Sequence, residues 1–251
     1  MPVGPNKTTA GLSGAIPQQS LTGVTRYTEK RLFYSPREIA LILPKTLRGG
    51  YGVLEMGTLM SVIENDAYGA GTDEAQGIIV PYVPANVAST TLDHATHPGV
   101  CPVFSAAAGA KIIYCDLERS WMFQLGDEIL LQDSDSLEGG TIAAIDRTTY
   151  DHQAQITVEE NIVATFTANA SWAYVRCGDG TASSSGESAG TSVAQYILDQ
   201  TIDTGYEDQG GALGSVVVSN AVLYQDALIG NDTVGVADLS LVSDGQFYIL
   251  K

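Results

Sequence analysis

Gly186-Glu187-Ser188-Ala189-Gly190 has the G-x-S-x-G spacing of a nucleophile elbow, whose chemistry would be acyl transfer. That chemistry needs a hydrophobic strand running into the turn, then an acid and a histidine further along the chain. Here Thr181-Ala182-Ser183-Ser184-Ser185 precedes the motif, and His94, His97 and His152 all come before Ser188. The match reads as a chance product of a Gly/Ser-rich linker. His94-x-x-His97 with Cys101 offers zinc-ligand types, but a closed site needs a fourth ligand and Cys115 lies beyond an expected strand. A loop with two solvated histidines is the expectation. Asp133-x-Asp135 followed by Glu138 has the opening of a calcium loop without the glycine at its sixth position or the distal bidentate glutamate. An acidic β-turn is expected there, with cation binding at Asp133 and Asp135 left open. Gly69-Ala70-Gly71 lacks the third glycine and the strand–helix setting of a nucleotide loop. The residues therefore predict no enzyme, no cofactor and no metal centre.

The elements that would position such groups are strands. Val53 to Ile63 reads as a strand pair or one bent strand with a Gly57-Thr58 kink, and Gly77 to Val83 as a short strand. One further strand is expected around Cys101–Phe104. Lys111–Cys115, Glu128–Gln132, Gly140–Asp146, Ala154–Val158 and Trp172–Arg176 make five more at short spacing, which fits a small barrel or sandwich. Asp133–Ser136 turns between two of them. Gly178–Gly186 is the clearest linker. Val193–Ile202 is an apolar run, Ser215–Tyr224 a buried strand, Ala227–Gly230 the close of a short helix, and Gln246–Leu250 a last strand. Residues 1–25 show prolines, glycines and no hydrophobic period, so they read as an extended arm.

Charge is unevenly placed. Residues 1–50 hold seven of the twelve basic residues against Glu29 and Glu38, a net of +5. Residues 51–251 hold the other five against 27 acidic ones, a net of −22. The acidic body would repel nucleic acid, which is bound by neutralising phosphates with a basic face. The basic arm suits an acidic neighbour, another copy of the same body included. Charged residues make up only 16% of the chain, against about 25% in an average domain, and small residues take their place. That composition suits a surface meant to be covered. No 18-residue apolar run and no secretory leader is read, and three cysteines at long spacings suit free thiols in a reducing compartment.

Three stretches resemble the tailed-phage capsid decoration, or cement, proteins of the lambda head-decoration type. They are Gly52-Val53-Leu54-Glu55-Met56-Gly57-Thr58-Leu59-Met60, then Tyr196–Thr204 with Ser215–Val222, then Tyr224-Gln225-Asp226-Ala227-Leu228-Ile229-Gly230. The resemblance covers residues 49–108 and 187–251. Members of that family are much shorter and have neither the 111–178 unit nor so long an arm. The resemblance implies a mainly β fold: an extended N-terminal arm (1–48), a β-tulip-like core in two halves (49–110 and 181–251), and an inserted small β-barrel or sandwich (111–180).

The function it implies is structural. The chain would bind the exterior of an expanded capsid and cement neighbouring subunits, with the major capsid protein and itself as partners. Self-association would give a homo-trimer or another homo-oligomer, with neither nucleic acid nor membrane as partner. It would be made in the host bacterial cytoplasm and end in the virion. Arg26, Tyr27, Arg31, Phe33, Tyr34 and Arg37 are the candidate partner-binding residues, with local core packing as the competing role for the aromatics. The alternatives are another virion component, a head fibre base or tail tube protein, or a carbohydrate-binding adhesin module.

Overall fold

Gln153–Val158 shows in six residues how this chain builds its walls. Ala154, Ile156 and Val158 are buried while Gln153, Gln155 and Thr157 are half-exposed, the period of two that turns alternate side chains to opposite faces. The computed structural model describes residues 32–34, 40–63, 77–83, 96–176, 194–205, 212–231, 235–236, 239 and 247–250. All belong to one compact unit, Leu32–Lys251.

In chain order β1 (Leu41–Leu47), β2 (Val53–Leu54), β3 (Leu59–Val62) and β4 (Ile79–Pro81) come first. Then follow β5 (Cys101–Ala106), β6 (Ile112–Asp116), β7 (Glu128–Gln132), β8 (Leu137–Tyr150), β9 (Gln153–Val158), β10 (Phe166–Thr167) and β11 (Trp172–Val175). β12 (Tyr196–Leu198), β13 (Ile202–Asp203), β14 (Ala212–Ser219), β15 (Ala221–Tyr224) and β16 (Phe247–Leu250) complete the described strands. The fold is mainly β, interrupted by 3-10 turns at Arg119–Met122 and Gln225–Ala227.

Two closed walls result. The first barrel runs β1-β14-β12-β3-β4, closed by a parallel contact between Leu47 and Ile79. The second follows the order β10-β5-β11-β7-β8-β9-β6, and an antiparallel β5–β6 pairing closes its ring. The chain therefore leaves the first barrel after β4, builds the second from 101 to 175, and returns. A short β2–β13 ladder accompanies the first barrel, and β15 pairs in parallel with β16.

One apolar cluster runs through both barrels. Leu47, Met60, Ile79, Leu198 and Val216 share it with Val103, Ile113, Ile129 and Ile156. β14 is buried on both sides: Val216 faces that cluster, and Val217 faces a second one with Leu59, Tyr82, Ile197 and Leu223. Its Val-Val-Val run, without alternation, reflects that double burial.

Val53–Ile63, read as a strand pair or one bent strand, holds two strands, β2 and β3, which pair with other strands. Gly57 turns between them with φ 92°, and the Thr58 hydroxyl donates to Glu55 O at 2.7 Å. Three boundaries differ from the sequence reading. Leu41–Leu47 lies inside the stretch read as an arm, yet it pairs along its whole length with β14. Cys101–Ala106 lies in the stretch read as the first half of the core, but it belongs to the second barrel, pairing with β6, β10 and β11. Ser215–Tyr224 is two strands, because Asn220 at φ 58° turns the chain between β14 and β15. The Gly178–Gly186 linker and the Ser188 motif lie outside the described residues.

Candidate partner-binding surface

Leu32, Phe33 and Tyr34 lie along the side of β15 away from β16, in an antiparallel bridge between Phe33 and Leu223. The Tyr34 amide donates to Val222 O at 2.8 Å, and the Tyr224 amide donates to Leu32 O at 3.1 Å. Burial separates the three side chains. Leu32 is 2% exposed in the second apolar cluster, and Phe33 packs against that cluster half-buried. Tyr34 stands out at 58% exposure, its ring edge-on to Tyr224 with centroids 5.6 Å apart. Of the six candidate contact residues, Phe33 has the packing role and Tyr34 presents an aromatic face. Arg26, Tyr27, Arg31 and Arg37 lie outside the described residues.

Two sheet edges differ in how open they are. β1 carries exposed Leu41 and Leu43, and from Leu41 to Thr46 no described strand pairs with its side away from β14. The Arg48 amide donates to Ile79 O on that side. Alternation turns the nitrogen of Pro44, which has no hydrogen to offer, to the same side. Pro44 and the adjacent Lys45 blunt the edge against strand addition. β16 pairs with β15 on one side, and no described strand pairs with the other.

Behind these edges a buried latch joins the barrels. Arg48, just past β1, forms an ion pair with Asp127 at the entry to β7, their side chains 6% and 9% exposed. The same Asp127 oxygen accepts from the Gln124 amide at 2.7 Å. Gly50 makes the approach possible: at φ 91° it lies so close to the Arg119–Met122 turn that a Cβ would fall 2.1 Å from Trp121 O. Arg147 closes the outer side of that turn, donating to Ser120 O and Phe123 O at 2.8 Å with its guanidinium 4.3 Å over the Trp121 ring. The carboxylate of the adjacent Asp146 accepts from the Thr149 hydroxyl and from the Thr148 amide and hydroxyl. Those bonds, the Thr149 hydroxyl first, lower its pKa to about 2. They gather the residues that β8 has in excess over β9 between Asp146 and Tyr150.

The residues singled out for chemistry are dispersed. Asp133 Oδ1 accepts from the amides of Asp135 at 2.8 Å and Ser136 at 2.6 Å, an Asx turn between β7 and β8. Glu138 is occupied elsewhere, bonding the amides of Val163 and Ala164. His97 is buried rather than solvated, with Nδ1 2.9 Å from the Thr96 hydroxyl, and His94 lies outside the described residues. Cys101 points into the second barrel, with Sγ 3.7 Å from Asp116 O, and burial, then the neighbouring Cys115, raises its thiol pKa well above the ordinary value. Among the described residues no three His, Cys, Asp or Glu side chains converge as metal ligands, and no helix is long and apolar enough to cross a membrane.

Sequence reasoning missed the Arg48–Asp127 latch, since nothing in a lone arginine and a lone aspartate 79 residues apart signals a pair. Compared with known proteins, the chain matches no family model, no curated protein and no solved structure.

Proposed function

We propose that this chain is a non-enzymatic structural protein of a tailed-phage virion, which binds the exterior of the expanded capsid and cements neighbouring capsid subunits. In this reading the barrel made by β1, β3, β4, β12 and β14 is the β-tulip-like core, and the barrel from 101 to 175 is the insertion that sets this chain apart from the shorter decoration proteins it resembles. Its partners are the major capsid protein and further copies of itself.

The observation that carries the reading is the seating of Leu32–Tyr34 on β15. It holds Leu32–Tyr34 to the body by main-chain bonds and leaves Tyr34 exposed beside Tyr224. Extended segments anchored in this way dock by strand addition, with aromatic side chains as local anchors. The buried Arg48–Asp127 pair and the apolar cluster shared by the barrels support the same role, because a cement must transmit load between the subunits it bridges.

The test is co-sedimentation with empty expanded capsids of tailed phages. Saturable binding at a fixed copy number per capsid subunit is expected. A version lacking residues 1–31 keeps both barrels and should lose most of that binding. Failure of the full chain to sediment with any expanded capsid, at low and at physiological salt, would overturn the proposal.

A further inference from the structure

We propose that the outer face of the β6-β9-β8 sheet is a binding site for a neutral saccharide, which stacks on Tyr114 and Tyr150 and bonds through Gln153 and Gln155. The register brings these four side chains together. Tyr114 stands opposite Gln155, and Gln155 opposite Asp146; Asp116 stands opposite Gln153, and Gln153 opposite Tyr150. Residues directly opposite one another share a face of the sheet. Ala154 and Ile156, which alternate with the glutamines, are buried inside the barrel, so the shared face is the outer one. The two tyrosine rings meet edge to face with centroids 5.4 Å apart, and Tyr150 is 39% exposed. The β8 bulge is what brings Tyr150 there. Continued from Asp146 opposite Gln155, a regular ladder would set Thr148 opposite Gln153. The two extra residues set Tyr150 there instead and, being an even number, keep it on the outer face. The bonds from Thr148 and Thr149 to the Asp146 carboxylate hold that arrangement.

The chemistry of the patch selects its ligand. The electron-rich face of an aromatic ring attracts the polarised C–H groups of a pyranose ring. A glutamine amide carries two donors and an acceptor, the set that neighbouring sugar hydroxyls require. Among the described residues no hydrogen bond holds the side chain of Gln153 or Gln155. The carboxylates beside them are engaged, Asp146 by the two threonines and Asp116 by the Arg119 amide. The acidic body repels anionic polymers, nucleic acid and acidic glycans alike, whereas a neutral sugar chain needs no counter-charge. Contact between the two rings orders them before a ligand arrives, which lowers the cost of binding. This inference does not depend on the capsid reading, since it concerns the second barrel alone.

The experiment is a nuclear magnetic resonance titration of the isotope-labelled full chain with neutral cello-, malto-, chito- and manno-oligosaccharides, each to about 10 mM. At least one is expected to shift the amide resonances of residues 112–116, 144–150 and 153–157 saturably, with a Kd of about 1 mM or tighter. Tyr150→Ala should weaken that binding about 10-fold, while Tyr150→Phe, which keeps the ring, should stay within about three-fold of the wild type. Gln153→Ala with Gln155→Ala should also weaken it about 10-fold. Thermal unfolding of each variant separates loss of the site from loss of the fold. The proposal is overturned when no oligosaccharide shifts these resonances, when the shifts lie elsewhere, or when folded Tyr150→Ala binds as the wild type does. If no oligosaccharide binds and Tyr150→Ala abolishes co-sedimentation with capsids, the face belongs to a protein partner and the saccharide proposal falls while the capsid reading stands.

Discussion

Replacing Asp127 with alanine probes the join between the barrels. The change removes the anion that faces the Arg48 guanidinium and the acceptor of the Gln124 amide, both in a region less than a tenth exposed. Breaking a buried pair from one side costs about 3–5 kcal/mol, chiefly because a charge is left buried without its counter-ion. The lost amide bond adds about 1 kcal/mol. Against a total stability of about 5–15 kcal/mol this is a large fraction. Urea unfolding followed by tryptophan fluorescence and by circular dichroism is the assay. At a slope of about 3 kcal/mol per molar, the midpoint should fall by about 1–2 M with the slope unchanged. Because one apolar cluster spans both barrels, the two probes should still coincide. Arg48→Met with Asp127→Leu should recover most of the loss, since an apolar pair of similar volume leaves no buried charge. A loss below about 1 kcal/mol for Asp127→Ala would refute the reasoning, because the magnitude of an exposed pair would mean that water reaches the latch.

Other consequences are open to direct measurement. Gly50→Ala sets a Cβ against Trp121 O at a positive φ and should cost about 3 kcal/mol or more, while Gly77→Ala, also at positive φ but with open space around it, should cost about 1–2 kcal/mol; thermal unfolding compares them. The Asp146 carboxyl is held below its ordinary value, so its contribution to the β8 bulge is full above pH 4 and is lost as pH falls toward about 2. The amide resonances of Thr148 and Thr149 should titrate over that range, and Asp146→Asn should remove the transition. Cys101 and Cys115 should resist alkylation in the native protein and react on unfolding, as peptide mapping by mass spectrometry would show, because both are fully buried and the Cys101 thiol is held protonated.

The strands of the second barrel were legible because their signal is local. Ala154–Val158 alternates, Lys111–Cys115 is β-branched and aromatic, and Asp133–Ser136 has turn chemistry, so each element is written in its own few residues. The first barrel was less legible. Pro44 argues against a strand until its nitrogen is known to face an open edge, and the eight-residue partner of β1 lies some 170 positions away in sequence. Cys101–Ala106 reads as a strand from its residues, but its membership of the second barrel is settled by pairing with β6, β10 and β11, which no local pattern encodes. At the candidate surface, the aromatic character of Phe33 and Tyr34 was visible, but their division into one packing and one exposed ring depends on the phase of the pairing with β15. The latch was invisible for the same reason as the barrel closure: it exists only once distant segments have met.

The interleaving of the barrels imposes an order on biosynthesis. Every strand of the second barrel has been made once the ribosome has passed Val175, and all its pairings lie within residues 101–175, so it can form while the chain is still growing. The first barrel cannot close until β14 arrives, because β1 waits for β14 and β3 waits for β12 from the far side of the insertion. During that interval β1 and β3 each present a strand edge without its permanent neighbour, the condition under which nascent chains aggregate. Prior folding of residues 101–175 shortens the effective loop that β1 and β14 must close and so lowers its entropic cost. The insertion thus acts as a folding template for the barrel that surrounds it in sequence, and a destabilised second barrel should lower the yield of native protein during synthesis by more than it lowers the stability of the finished fold.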